Sequence, residues 1–127
     1  MLVAALVSAA LAAVLHVYIF AMESLWWTTP RVRATFGLTE AEAAGTRGMA
    51  LNQGFYNLFL AVVTVAGLVA YSLGYGAVGA ALVIAGTGPM LAAAIVLIVS
   101  DRTKASAAVK QGVLPLIGLA LLALAAL

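Results

Sequence analysis

Four stretches of this chain, about residues 2–27, 48–71, 77–99 and 105–127, are long, apolar and almost free of charge. Crossing the hydrocarbon core of a bilayer as a helix takes about 20 such residues. Only short segments separate successive stretches, so each helix should run back along the one before it. The expected fold is all-α: an integral membrane four-helix bundle with antiparallel up-down topology, forming one transmembrane domain over residues 1–127. Composition agrees. Hydrophobic residues make up 66% of the chain and charged residues 8%, whereas a soluble domain carries about 25% charged residues. A surface this apolar needs lipid around it. The first stretch has no Lys or Arg ahead of it, and it outlasts the roughly 7–15 apolar residues of a secretory signal. It is therefore expected to stay as a span.

Residue content excludes several kinds of chemistry. There is no cysteine, which removes disulfides, thiolate nucleophiles and Cys-ligated zinc or iron–sulfur sites. Six Lys/Arg stand against four Asp/Glu, and the excess sits near two loops. No basic face long enough for nucleic acid exists. The cations act instead as a topology signal. Arg31, Arg33 and Arg47 flank the first loop, and Arg102, Lys104 and Lys110 flank the third. In four antiparallel spans those loops share a side. The positive-inside rule makes that side cytoplasmic and puts both termini outside the cell membrane.

Local signals mark the ends of the spans. Trp26 and Trp27 mark a membrane–water interface, and Thr28-Thr29-Pro30 ends the first helix because a residue before proline leaves the α region. Thr28–Leu38 reads as a loop. Thr39 with Glu42 reads as a capping box that opens the second helix, whose polar first turns, through Arg47, stand among the headgroups. Ser72–Gly76 is a tight turn. Gly86-Thr-Gly-Pro89 should kink the third span, a break that neighbouring helices can re-satisfy. Gly76 with Ala80, Gly79 with Val83, and Ala81 with Ala85, together with Gly86 and Gly88, give that span a slim face for close helix approach.

The polar residues inside the spans are few, and they fall at similar depths. Glu23 lies about one turn in from the loop end of the first span. His16 is two turns further, roughly 10 Å at 1.5 Å per residue, and on the same face. Asn52, Gln53, Tyr56 and Asn57 lie near the start of the second span, and Lys110 and Gln111 near the start of the fourth. Together they outline a polar pocket in the loop-side half of the bundle. An ionisable group in hydrocarbon costs a few kcal/mol or more and usually marks function. The bland alternatives are a snorkelling Lys110, amides acting as interhelical glue, a hydrogen-bonded core histidine at His16, and a structural ion pair at Glu23. No set of residues suggests a metal site.

The pattern His16, Tyr18, Glu23, Trp27, Thr29-Pro30, Phe36-Gly37-Leu38, Asn52-Gln53-Gly54 and Tyr56-Asn57 resembles the domain-of-unknown-function 1304 family of small bacterial membrane proteins, over essentially the whole chain. The resemblance implies four membrane spans and no established activity. A more distant similarity runs to two trimeric four-span enzyme families, the membrane-associated eicosanoid and glutathione metabolism proteins and the styrene oxide isomerases. The latter share a stretch similar to Arg47…Ala50-Leu51-Asn52. Their haem-ligating histidine falls where this chain has Thr46, Arg47 and Gly48, so haem here would need His16 as its axial ligand from another helix.

Two functional readings follow. One is binding or transport of a small amphipathic molecule, with Glu23 selecting charge or carrying a proton. The other is a membrane-embedded enzyme of isomerase or transferase type, with Glu23 or His16 as acid–base and the amides and Tyr56 steadying an oxyanion. A third possibility is an accessory subunit. A bundle of four helices leaves little interior volume, and the slim glycine face invites neighbours, so a homo-oligomer is expected.

Overall fold

The computed structural model describes residues 1–126. Helix α1, Leu2–Phe20, passes directly into a π-helical turn, Ala21–Leu25. The turn closes with the Trp26 amide donating to the Ala21 carbonyl at 3.0 Å. Thr28–Leu38 is not the plain loop expected from the sequence, because it contains a short helix, α2, Pro30–Phe36. The physical reason lies in Thr29-Pro30. Besides ending one helix it starts another: the Thr29 hydroxyl accepts from the Val32 amide at 3.4 Å, and proline at the first helical position gives up an N–H that has no partner there anyway. Gly37, at φ 68°, takes the left-handed conformation that closes α2.

Helix α3, Glu40–Ser72, opens with the expected capping box. The Glu42 amide donates to the Thr39 hydroxyl at 3.2 Å, and the Thr39 amide donates back to the Glu42 carboxylate at 2.8 Å. At 33 residues it is about 50 Å long, well over the roughly 30 Å of a hydrocarbon core. A turn through Gly74, at φ 91°, leads to α4, Gly76–Ser100, which continues as one helix through Pro89. Asp101 then caps a single 3₁₀ turn, Arg102–Lys104, that runs into α5, Ala105–Ala125. The expected fourth span reaches Leu127, which lies outside the described residues.

The four long helices form a ring in which α1 packs on α3 and α5, and α4 packs on the same two. Neighbours are antiparallel. Gly67 meets Val83 while Gly86 meets Thr64 and Leu60, so numbers rise along one helix as they fall along the other. Likewise the Ser8 hydroxyl donates to the Leu114 carbonyl at 3.0 Å, and Gly118 faces Ala5 and Ala9. The α1–α3 and α4–α5 connections therefore share one end, the loop end. The termini and the Gly74 turn share the other.

Small residues set the helix spacing. A Cβ on Gly79 would lie 2.6 Å from the Tyr71 amide nitrogen, and one on Gly67 would lie 2.6 Å from that of Val83. Gly79, Val83 and Gly86 of the expected slim face are thus buried against α3, within the same chain. Ala81 and Ala85 point outward instead. The glycine face that sequence alone offers to other copies is already covered by α3. Along α3 itself, Ala43, Ala50, Asn57 and Thr64 are buried at every seventh position, with Gly54 and Ala61 between them, a coiled-coil-like seam. The interior is mostly alanine and glycine, with Met90, His16, Thr64, Thr87 and Pro115 its largest fully buried side chains. The two threonine hydroxyls bond back to carbonyls of their own helices.

Leu2–Leu25, Glu40–Ser72, Gly76–Ser100 and Arg102–Ala125 are each long and apolar enough to cross a membrane. By length and composition this is a membrane protein.

Candidate functional site around Glu23 and Asn57

The seam between α1 and α3 carries the polar chemistry. Gly54 makes it possible: a Cβ there would run into the Ser24 hydroxyl and come within 3.1 Å of Glu23 Cβ. Its absence lets α3 lie directly on the π-helical turn. The turn widens the helix where Glu23 and Ser24 sit, and π-turns recur at functional positions. Ser24 Oγ donates to the Leu51 carbonyl at 2.9 Å. Asn57 Nδ2 donates to Glu23 Oε2 at 2.8 Å and also to the Gln53 carbonyl at 3.2 Å. Asn57 is 8% exposed, and Glu23 is half-buried. Among the described residues no Lys or Arg forms an ion pair with Glu23; the one ion pair joins Arg33 to Glu40 at 3.9 Å.

Flanking contacts hold the seam. Phe20 and Phe55 meet edge-on at 5.1 Å between ring centroids. Trp27 Nε1 donates to Thr46 Oγ1 at 3.0 Å, while its ring tilts against Phe36 of α2 at 5.0 Å. So α2 folds back over the seam's loop end instead of trailing away from it.

The remaining candidates are spread out. His16 is 0% exposed. Its Nδ1 is 2.9 Å from the Ala12 carbonyl, a geometry that makes Nδ1 the protonated donor and leaves Nε2 as a lone-pair acceptor. Nε2 is buried with no partner. It is the nitrogen a haem iron would need, and it is enclosed by helices. Two apolar clefts open on the bundle, one of about 420 Å³ near the termini beside Leu2, Tyr71 and Leu122, and one of about 220 Å³ between α4 and α5. Neither is lined by His16, Glu23 or Asn57. No group of three His, Asp or Glu side chains among the described residues is placed to hold a metal ion.

Asn52, Gln53 and Tyr56 are exposed on the outer face of α3, and Gln53 joins the site only through its carbonyl. Lys110 is exposed and Gln111 half-buried on α5. The α1–α5 register sets them about level with Ala12–His16, farther from the loop end than Glu23. The eight candidates thus reduce to a bonded pair, Glu23 and Asn57, with His16 buried deeper. Gly54 and Ser24 pack directly against this pair, and polarity alone does not flag them. The available signal is Gly54 itself, since a glycine inside a helix costs roughly 1 kcal/mol and asks for a packing reason.

The fold and this pair define a class: a small all-α protein of four membrane-length helices with one carboxylate held at a helix seam. Within that class, residues 10–123 match the family model described as Protein of unknown function (DUF1304), and the chain belongs to that family. No curated protein and no solved structure matches it.

Proposed function

We propose that this protein binds a small amphipathic cation at the α1–α3 seam and carries it within the membrane, with Glu23 as the charge-selecting, proton-exchanging group. The observation that carries this reading is the Glu23–Asn57 pair: a half-buried carboxylate, fixed by one neutral donor, with no cation of its own among the described residues. A carboxylate at membrane depth is costly to leave charged and unpaired. A proton or a cationic ligand relieves the same cost, so the two compete for one group. Phe20 and Phe55 beside the seam supply apolar and aromatic surface for the rest of such a ligand. Asn57 is the one side-chain amide that donates to Glu23, while Tyr56 and Asn52 face outward. One donor suits holding a carboxylate better than stabilising an oxyanion, which takes converging donors. This favours binding over the enzyme reading.

The test uses the lipophilic cation tetraphenylphosphonium with protein in lipid nanodiscs. Wild type should bind it with release of a proton, and Glu23→Gln should lose at least tenfold in affinity while keeping its helical content. Equal binding by the two proteins would end the proposal.

A further inference from the structure

Three polar side chains are left over on the outside of α3. Asn52, Gln53 and Tyr56 are all exposed, Tyr56 at 63%, and none of their side chains has a hydrogen-bond partner among the described residues. Their depth can be gauged. Trp27 is bonded to Thr46, and tryptophan indoles sit at headgroup level, so Thr46 marks that level on α3. At 1.5 Å per residue Asn52 lies about 9 Å deeper and Tyr56 about 15 Å deeper. Asparagine is too short to reach back to water from there. An unbonded amide facing lipid is unfavourable, and polar side chains at such positions hold membrane helices together.

The stripe leading to Asn52 is shaped for a close neighbour. Ala41, Gly45, Gly48 and Asn52 recur at four- and three-residue steps along one exposed line of α3. Cβ atoms built on Gly45 and Gly48 meet nothing within 4 Å, unlike the glycines of the α3–α4 contact. These two glycines therefore serve no packing within the chain, although each weakens the helix it sits in.

We infer that this stripe is where a second copy of the chain docks, α3 against α3, about an axis along the membrane normal. Self-complementarity favours a second copy over another partner. Copies in one membrane share an orientation, so a symmetry axis beside the stripe brings Asn52 to Asn52 at equal depth. An amide carries both donor and acceptor and can pair with its own kind. The glycines let the backbones approach until the amides meet. The interface is independent of the Glu23 reading, because Asn52 and Glu23 lie on different faces of the bundle.

The absence of cysteine makes the test clean. Single-cysteine variants Gly48→Cys and Asn52→Cys should form a disulfide-linked dimer in native membranes under mild oxidation, with at least tenfold more product than Val96→Cys on the exposed face of α4. Gly48→Leu, which has open space around it in one chain, should keep the helical content and lower the oligomer to monomer in native mass spectrometry. Crosslinking no greater than at Val96, or a Gly48→Leu protein that stays oligomeric, would overturn the inference. A Gly48→Leu protein that unfolds would do so too, since it would give Gly48 a packing role within the chain.

Discussion

Asn57 Nδ2 stands 2.8 Å from Glu23 Oε2 and 3.2 Å from the Gln53 carbonyl. One amide thereby ties a carboxylate on the π-helical turn after α1 to the backbone of α3. The two partners are not equivalent when removed. Asn57→Ala leaves a half-buried carboxylate without its donor, which costs about 1–3 kcal/mol. Glu23→Gln keeps an oxygen acceptor for Asn57 and should cost under about 1 kcal/mol. Reversible unfolding in mixed micelles should show this order. Equal losses would mean that the bond contributes nothing particular to the fold.

Gly54 and Gly48 make a matched pair of helix glycines with opposite surroundings. Gly54→Ala drives a methyl into Ser24 and against Glu23 Cβ; such overpacking costs typically about 1–3 kcal/mol. Gly48→Ala meets nothing within 4 Å and gains up to roughly 1 kcal/mol of helix propensity within the chain. In a detergent that holds the chain as a monomer, melting temperatures should fall for the first and hold or rise for the second. A fall in both would point to glycine flexibility, not helix spacing, as the shared requirement.

Asp101 gives a pH-dependent prediction with a definite sign. Its Oδ1 accepts from the Thr103 amide at 2.9 Å and the Thr103 hydroxyl at 2.6 Å. These bonds, the hydroxyl's first and the amide's second, hold its carboxyl below the ordinary aspartate range, with a smaller contribution from Lys104. A folded-state pKa below the unfolded one stabilises the fold above the unfolded value, and that gain is lost as pH falls through the folded value. Wild type should therefore melt above Asp101→Asn at neutral pH, and the gap should close below about pH 4. Asp101 sits in a short charged segment between helices where solvent screens it, so the gap should be small. A gap that widens in acid would refute the assignment.

Much of the fold is legible because lipid leaves a chain few options. Long apolar runs, the Thr39–Glu42 box and the turn at Gly74 each have one good local solution. Depth and reach turn Glu23 inward to the second span near Asn52 or Asn57, and the structure takes Asn57 and leaves Asn52 exposed. Other features need the register between helices, which one sequence does not contain. Tyr56 and Asn57 are adjacent and both polar, yet a heptad seam buries one and exposes the other. Lys110 lies at a plausible distance from its own helix end, but antiparallel packing of α5 on α1 sets it away from Glu23. Pro30 carries two meanings, stop and start, and only Thr29 accepting from Val32 shows that both apply.

The orientation of the bundle in the membrane should follow its positive charges. Arg31, Arg33, Arg47, Arg102 and Lys104 fall near the loop end, Lys110 stands more than a turn into α5 from it, and the terminal end has no Lys or Arg among the described residues. Short flanking segments with such a bias face the cytoplasm, so the Gly74 turn and both termini should face out. With no native cysteine, Gly74→Cys should react with an impermeant maleimide in intact cells, and Thr103→Cys should react only after the membrane is opened. The trend should follow charge: replacing Arg31, Arg33 and Arg47 with Gln weakens the bias at one loop, and adding Lys at residues 73 and 75 opposes it. The combined variant should then give a mixed labelling pattern. Labelling of Thr103→Cys in intact cells, with Gly74→Cys protected, would reverse the orientation while leaving the bundle untouched.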